Sequence, residues 1–214
     1  MHKDNLQPNY RMELPAKIMQ VAMREFRRCG VKAVKMDDIA SRLSISKRTL
    51  YEIFSNKEEL LLECVRMQEE AFDSHMTEFG SDSSHNSIDI ILEFYRFQMQ
   101  NVSDVSPAFY EELSKYGHVV DFLNKKRIKR NANAKAFFAH GVSEGYFRKD
   151  VDFDIVSQIG AASMEHAMKT KMYEKYGMKD LLHNILFLFL RGLCTAEGIA
   201  LLDASDVELG QLGT

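Results

Sequence analysis

MDDIASRLSISKRTLYEIFSNKEEL, residues 36–60, is the stretch that decides how this chain folds. It holds two short helical patterns, Asp37–Leu43 and Lys47–Ile53, separated by Ser44-Ile45-Ser46. Asp37 and Asp38 fall in the first turn of the first pattern, where the positive end of a helix dipole favours acids. Ile39, Ala40 and Leu43 share its inward face. Ser46 is a good N-cap for the second pattern, whose inward residue is Leu50 with Phe54 just beyond. Ser55 with Glu58 then makes one capping-box frame, and Asn56 with Glu59 makes another one residue on. Either opens a long helix carrying Leu61, Val65, Phe72, Met76 and Phe79 on one stripe.

Upstream, Ile18, Val21, Ala22, Phe26 and Cys29 recur at helical spacing, and Gly30 suits the stop position after a helix. The periodicity starts at Pro15, which predicts that this proline sits in the first turn. A stabilising helix followed by two short helices across a tight turn is the sequence form of a helix-turn-helix. The outer face of the second short helix then carries Lys47, Arg48, Thr49, Tyr51 and Glu52. Two cations, two hydroxyls and an acid suit phosphate anchoring and base-edge reading. The plainer alternative is a solvated face on an ordinary bundle.

Working outward, the 214-residue chain has 45% hydrophobic residues, 11 Gly and only 3 Pro, too little punctuation for many short strands. No alternating strand pattern and no internal repeat is visible. Gly80–Ser87 reads as a loop, and a helix follows from Ile88 to about Asn101. Ser106-Pro107 caps and opens the next helix. One or two helices fill about Val119–Tyr146, and the last two cover roughly Asp152–Tyr176 and Lys179–Glu197. The fold class is therefore all-α, an N-terminal three-helix helix-turn-helix domain followed by a larger helical domain.

Charge is segregated along the chain. Residues 1–66 hold 13 Lys/Arg against 9 Asp/Glu, a net +4, while the remainder is −7, and together they give the whole-chain −3. Such asymmetry hints at a nucleic-acid-binding segment joined to something else. Cys29, Cys64 and Cys194 form no C-x-x-C pair, which argues against a disulfide framework or a cysteine-built zinc site. The N-terminus lacks the apolar run of a signal peptide, and the longest strongly apolar run, Ile185–Leu190, is far short of a bilayer span. A cytoplasmic protein with no membrane association is expected.

The residues from Ile18 to Leu62 resemble the N-terminal domain of the TetR family of transcriptional regulators. The resemblance rests on I-x-x-x-A-x-x-x-F-x-x-x-G from Ile18 to Gly30, on M-D-D-I-A from Met36, and on S-K-R-T-L-Y-E-I-F-S-N-K-E-E-L-L from Ser46 to Leu61. It implies that the second short helix is a recognition helix. Thr49 and Tyr51 match positions that touch phosphates in the family, Lys47 and Arg48 match positions of base and phosphate contact, and Lys57 matches its phosphate-binding lysine. Two positions depart from the pattern. Ser44 stands where the turn usually has Gly, and Lys35 where the first short helix usually has a Thr cap.

By the same resemblance, residues 1–60 are a DNA-binding domain and 61–214 an effector-binding and dimerisation domain. Ile185–Leu190 is apolar all round, and the preceding helix carries Gly160, Ala161, Ala162, Ser163 and Ala167, which allow close helix approach. Together these suit a symmetric homodimer. Aromatic and methionine side chains offer an adaptable ligand pocket, with Phe94, Tyr95, Met99, Phe109, Tyr110, Phe137, Phe138, Met164 and His166 as candidates. The basic run Lys125 to Arg130 reads as a solvated face, His140 with Glu144 as a surface pair, and Cys64 as a small buried hydrophobe. No cofactor, metal site or catalytic motif is expected. The sequence thus predicts a homodimeric regulator binding double-stranded DNA at a near-palindrome, a repressor released by a small-molecule effector. A helical carrier or enzyme with a vestigial head is the rival from another class, and a DNA-binding activator or nucleoid-associated division factor is the second rival.

Overall fold

The computed structural model describes residues 8–102 and 105–209, and all regular structure in those residues is helical. Residues 1–7, half of the 1–14 segment expected to lack a signal peptide, lie outside them. No helix is long and apolar enough to cross a membrane among the described residues.

Two compact units divide the chain. The first takes the chain through Ala71 and the segment that ends at Leu123. It contains α1 (Pro8–Cys29), α2 (Met36–Arg42), α3 (Lys47–Ile53), the first part of α4 (Lys57–Ser81), α6 (Pro107–Leu113) and the start of α7 (Gly117–Ser143). Its core runs through Ile18, Ala22 and Phe26 of α1, Ile39 and Ala40 of α2, Leu50 of α3, Leu60, Leu61 and Cys64 of α4, and Phe109 of α6. Cys64 is fully buried and its thiol donates to the Met19 carbonyl, so it acts as the small hydrophobe its position predicts.

The second unit holds the rest of α4 and α7 with α5 (Ser87–Val102), α8 (Phe153–Lys169), α9 (Met172–Tyr176), α10 (Met178–Leu193) and α11 (Ala196–Leu209). Its main core joins Ile88, Ile91, Leu92, Tyr95 and Met99 of α5 to Phe147, Leu190, Cys194 and Leu202. Phe147 and Cys194 form an isolated antiparallel bridge, flanked by Arg148 N–H to Leu193 O at 2.9 Å and Thr195 N–H to Tyr146 O at 2.9 Å.

Several helix limits differ from those the sequence suggests. Pro15 lies inside α1, which begins at Pro8, so it is not a first-turn residue. Its ring removes one backbone bond, a cost the remaining helix and the burial of Leu14 and Ile18 outweigh. The expected Asp152–Tyr176 helix is broken at Lys171, which sits in the left-handed region at φ 54°. The last expected helix stops at Leu193, and α11 follows from Ala196. Thr195 makes that break by accepting the Gly198 N–H at 3.2 Å while its hydroxyl donates to Gly145 O at 2.8 Å.

Candidate nucleic-acid interface

The α2–α3 turn forms as its residues dictate. Ser44 takes φ 54°, the left-handed conformation that glycine would adopt freely, at a cost of about 1 kcal/mol. Ser46 Oγ accepts the Thr49 N–H at 3.0 Å, capping α3. Lys35 gives α2 no side-chain cap, as its residue type predicts, but Asp38 compensates by accepting the Lys35 N–H at 3.3 Å. Asn56 is the residue that caps α4: its side-chain oxygen accepts the Glu59 N–H at 2.9 Å, and the Glu59 carboxylate reaches back to the Ser55 N–H at 2.8 Å. Of the two possible frames, the later supplies the cap bond, and the returning carboxylate bond goes one residue further back than a capping box requires. The Ser55 hydrogen bonds hold the Glu59 carboxyl below the usual carboxylate range.

Helix α3 therefore has one buried residue and an open outer face. Leu50 is fully buried against Ile39, Ala40 and Phe54, whereas Arg48 is 87% and Tyr51 48% exposed. Lys47 ion-pairs with Asp37 of α2, and the Asp37 hydrogen bond and charge raise its pKa. Arg48 Nε donates to Glu52 at 2.7 Å, one turn on, which likewise raises its pKa. The Thr49 hydroxyl is 2.8 Å from Ser46 Oγ and completes the cap. Lys47, Arg48 and Tyr51 thus share the solvent side of one short helix, while Thr49 faces its N-terminal turn.

Lys57 is placed differently from a free surface cation. Its ammonium donates to the carbonyls of Val31 at 2.8 Å, Lys32 at 3.3 Å and Val34 at 3.0 Å. Burial lowers its pKa, and the Glu112 charge offsets part of that. This brace of the loop between α1 and α2 is invisible in the sequence, where Val31 and Lys57 are 26 residues apart.

A second cationic cluster was not read from the sequence. Glu25 is a buried acid on α1 approached by Arg28 at 2.9 Å, Arg42 at 3.1 Å and Arg24 at 3.7 Å. The three guanidinium groups surround one carboxylate, leaving a net positive patch on the first unit. An acid within an otherwise apolar helical stripe, with arginines near it in sequence, was the available signal.

The ligand candidates divide. Phe109 and Tyr110 belong to the core of the first unit, where burial pushes the Tyr110 hydroxyl up to about 12. Tyr95, Met99 and Phe137 lie in the core of the second, and the Tyr95 hydroxyl bonds His183 Nδ1 at 2.5 Å. Phe94 stacks edge-on to Phe72 at 6.0 Å, Met164 is half-buried on α8, and His166 is exposed. A cleft of about 280 Å³ in the second unit is lined by Phe138, Val142, Phe147, Phe153 and Leu193 with Lys135 and Asp154 among its polar residues, so Phe138 is the one candidate on its wall. Of the basic run, Lys126 and Arg130 both pair with Asp73 at 2.7 Å, while Lys125, Arg127 and Lys129 are exposed. Glu144 lies 3.4 Å from His140 and also accepts the Ser87 N–H, so it helps cap α5.

Comparison with known proteins agrees with this geometry. Residues 18–64 match the family described as bacterial regulatory proteins, tetR family. No curated protein sequence matches the chain. Among solved structures, a TetR transcription regulator from Haloarcula marismortui superposes with a TM-score of 0.68 at 18% identity, covering 86% of this chain and 100% of that one. A TetR-family regulator from Agrobacterium tumefaciens gives 0.67 at 14% identity, covering 86% and 99%. The ketosteroid transcriptional regulator KstR2 of Mycobacterium tuberculosis gives 0.57 at 18% identity, covering 88% and 97%. These identities speak for the fold, and the head speaks through its sequence. Residues 18–64, which build the helix-turn-helix, thus match the tetR family of bacterial regulatory proteins, and the helical fold of most of the chain is shared with solved TetR-family regulators.

Proposed function

We propose that the protein is a ligand-responsive repressor that binds a near-palindromic operator as a homodimer in the cytoplasm. The observation that carries this reading is the division of α3: Leu50 is locked in the core while Lys47, Arg48 and Tyr51 face solvent from one short helix. A helix held by a single buried anchor and a tight turn can enter a major groove without disturbing its core. Arg48 offers a planar fork for a base edge or phosphate, Lys47 and Tyr51 flank it, and Thr49 contributes from the first turn. Lys57 joins the set by exchanging one of its three carbonyl bonds for a phosphate oxygen. The domain assignment that goes with this is a reading head over residues 1–60 and an effector and dimer body over 61–214.

Dimerisation is proposed through α8 and α10. Ile155, Ile159 and Leu188 are large apolar side chains left exposed on these two helices, and Leu188 is 72% exposed. Gly160 brings α8 close to α10, where an added Cβ would sit 3.5 Å from the Phe189 ring. A self-complementary apolar face of this kind suits an isologous pair. The effector is proposed to bind within the second unit among Phe94, Tyr95, Met99, Phe137 and Met164, with His166 nearby on α8. Release of DNA then requires that it bind two conformations with different affinity.

A salt titration tests the DNA-binding reading. Duplexes selected by the protein from a random library should lose affinity steeply as salt rises, because phosphate contacts release counterions. A flat response, or no selected duplex, would leave a helical carrier or enzyme with a vestigial head as the better account.

A further inference from the structure

The loop between α1 and α2 is gripped from two sides. Its carbonyls at Val31, Lys32 and Val34 receive the Lys57 ammonium from the start of α4. Its backbone N–H at Lys32 is taken at 2.6 Å by Glu112 Oε2, from α6, 80 residues away. Helix α6 is seated for this role. Ser106, its N-cap, donates its N–H to Arg27 O at 2.7 Å, and Gly30 packs so closely that an added Cβ would lie 3.0 Å from both Ala108 Cβ and Glu112 Oε2. The loop leads directly into Lys35, the N-cap of α2, whose Asp37 holds Lys47 of α3. A displacement of the loop therefore moves α2, and α2 carries α3 with it.

From this chain of contacts we infer that Glu112 is a positioning residue for DNA binding, acting through the Lys32 amide to fix the placement of α2 and α3. The inference rests on the DNA-binding reading above. Glu112 lies on α6, outside the α1–α4 stretch that carries the helix-turn-helix pattern, and no feature of its local sequence marks it. Its contribution is a hydrogen bond accepted by one carboxylate oxygen, so the acceptor and not the charge is the working part.

The sign of the effect separates this role from simple electrostatics. Removing an acid from a DNA-binding unit should by itself tighten binding to a polyanion. Glu112→Ala is expected to do the reverse, weakening binding to the selected duplex about tenfold, the scale of one lost hydrogen bond, with the salt slope unchanged. Glu112→Gln keeps an acceptor and should bind at least as tightly as the parent. Asp121→Ala, at an exposed acid of α7 in the same unit, supplies the charge-only control and should not weaken binding. Hydrogen exchange on the full chain should show the Lys32 amide losing protection in Glu112→Ala while the amides of α3 keep theirs.

Should Glu112→Ala unfold the head, Glu112→Asp, whose shorter arm withdraws the acceptor, is the variant to read, with a smaller weakening expected. Binding as tight as the parent in the folded variant, or equal weakening in Asp121→Ala, overturns the inference while leaving the DNA-binding reading intact. If the parent protein selects no duplex at all, the reading itself fails and this inference falls with it.

Discussion

Asp37 in the first turn of α2 and Lys47 at the first position of α3 are ion-paired across the turn that joins the two helices. The pair neutralises a cation on the proposed DNA-facing helix when no DNA is present. A phosphate would have to compete with Asp37 for that ammonium. Asp37→Asn is therefore expected to increase affinity for DNA of any sequence and to steepen the salt dependence, since it frees a full positive charge. Fluorescence anisotropy on two unrelated duplexes over a salt series checks this. Weaker binding in the variant would mean that Asp37 serves to place Lys47, not to screen it.

Lys57→Met separates two roles that coincide in one side chain. Loss of the ammonium leaves three carbonyls of the 31–34 loop without their donor, and a destabilisation of about 1–3 kcal/mol is expected. Binding should also weaken on every sequence, with a salt slope shallower by about one contact. Urea unfolding and a salt titration on the same preparation give the two numbers. An unchanged salt slope would make Lys57 a brace alone.

Asp73 on α4 accepts from Lys126 and Arg130 on α7, and Arg130 also lies 4.3 Å over the Phe72 ring. Burial pushes the Asp73 carboxyl up, but the hydrogen bonds and charges of Lys126 and Arg130 outweigh it, and the net pKa is below 3.8. A depressed acid stabilises the fold above its unfolded pKa, and that contribution disappears as pH falls through the folded pKa. Melting temperature should therefore drop below about pH 4, and Asp73→Asn should melt lower than the parent at pH 7 but approach it at pH 3. Because the pair is partly exposed, the pH 7 difference should be only a few degrees, about 1 kcal/mol or less.

Two glycines of the second unit should respond oppositely to the same substitution. A Cβ at Gly141 would lie 2.1 Å from the Phe147 ring, and that ring is itself fixed by the bridge to Cys194. Gly141→Ala is expected to cost about 1–3 kcal/mol by overpacking. At Gly192, on α10, nothing lies within 4 Å of an added Cβ. Gly192→Ala should be neutral or stabilising by up to about 1 kcal/mol, the helix preference of alanine. Denaturant unfolding of both variants measures the contrast.

Leu188→Glu with Ile159→Glu puts charges on the exposed α8 and α10 face. The double variant is expected to sediment as a monomer and to retain its helical circular dichroism, because neither side chain is in the core. Binding to a selected duplex should fall at least tenfold, since two half-sites are no longer engaged together. A dimer that persists by analytical ultracentrifugation would place the subunit contact elsewhere.

The sequence by itself determined the helical class, the bounds of α3, the Ser46 and Ser106 caps and the phase that buries Leu50. Each depends on residues within one or two turns of one another, so local chemistry suffices. It did not show Pro15 inside a helix, the break at Lys171, or α11. A proline interior to a helix and a lysine at positive φ are locally unfavourable, and only packing elsewhere in the chain holds them. Tertiary structure alone decided that Lys57 grips the 31–34 loop, that Glu112 meets it from 80 residues away, and that Phe109 and Tyr110 join the core of the first unit apart from Tyr95 and Met99. A hydrogen bond between distant residues leaves no periodicity and no spacing in the chain. The folded backbone brings the donor to its acceptor, and the sequence records only that both exist.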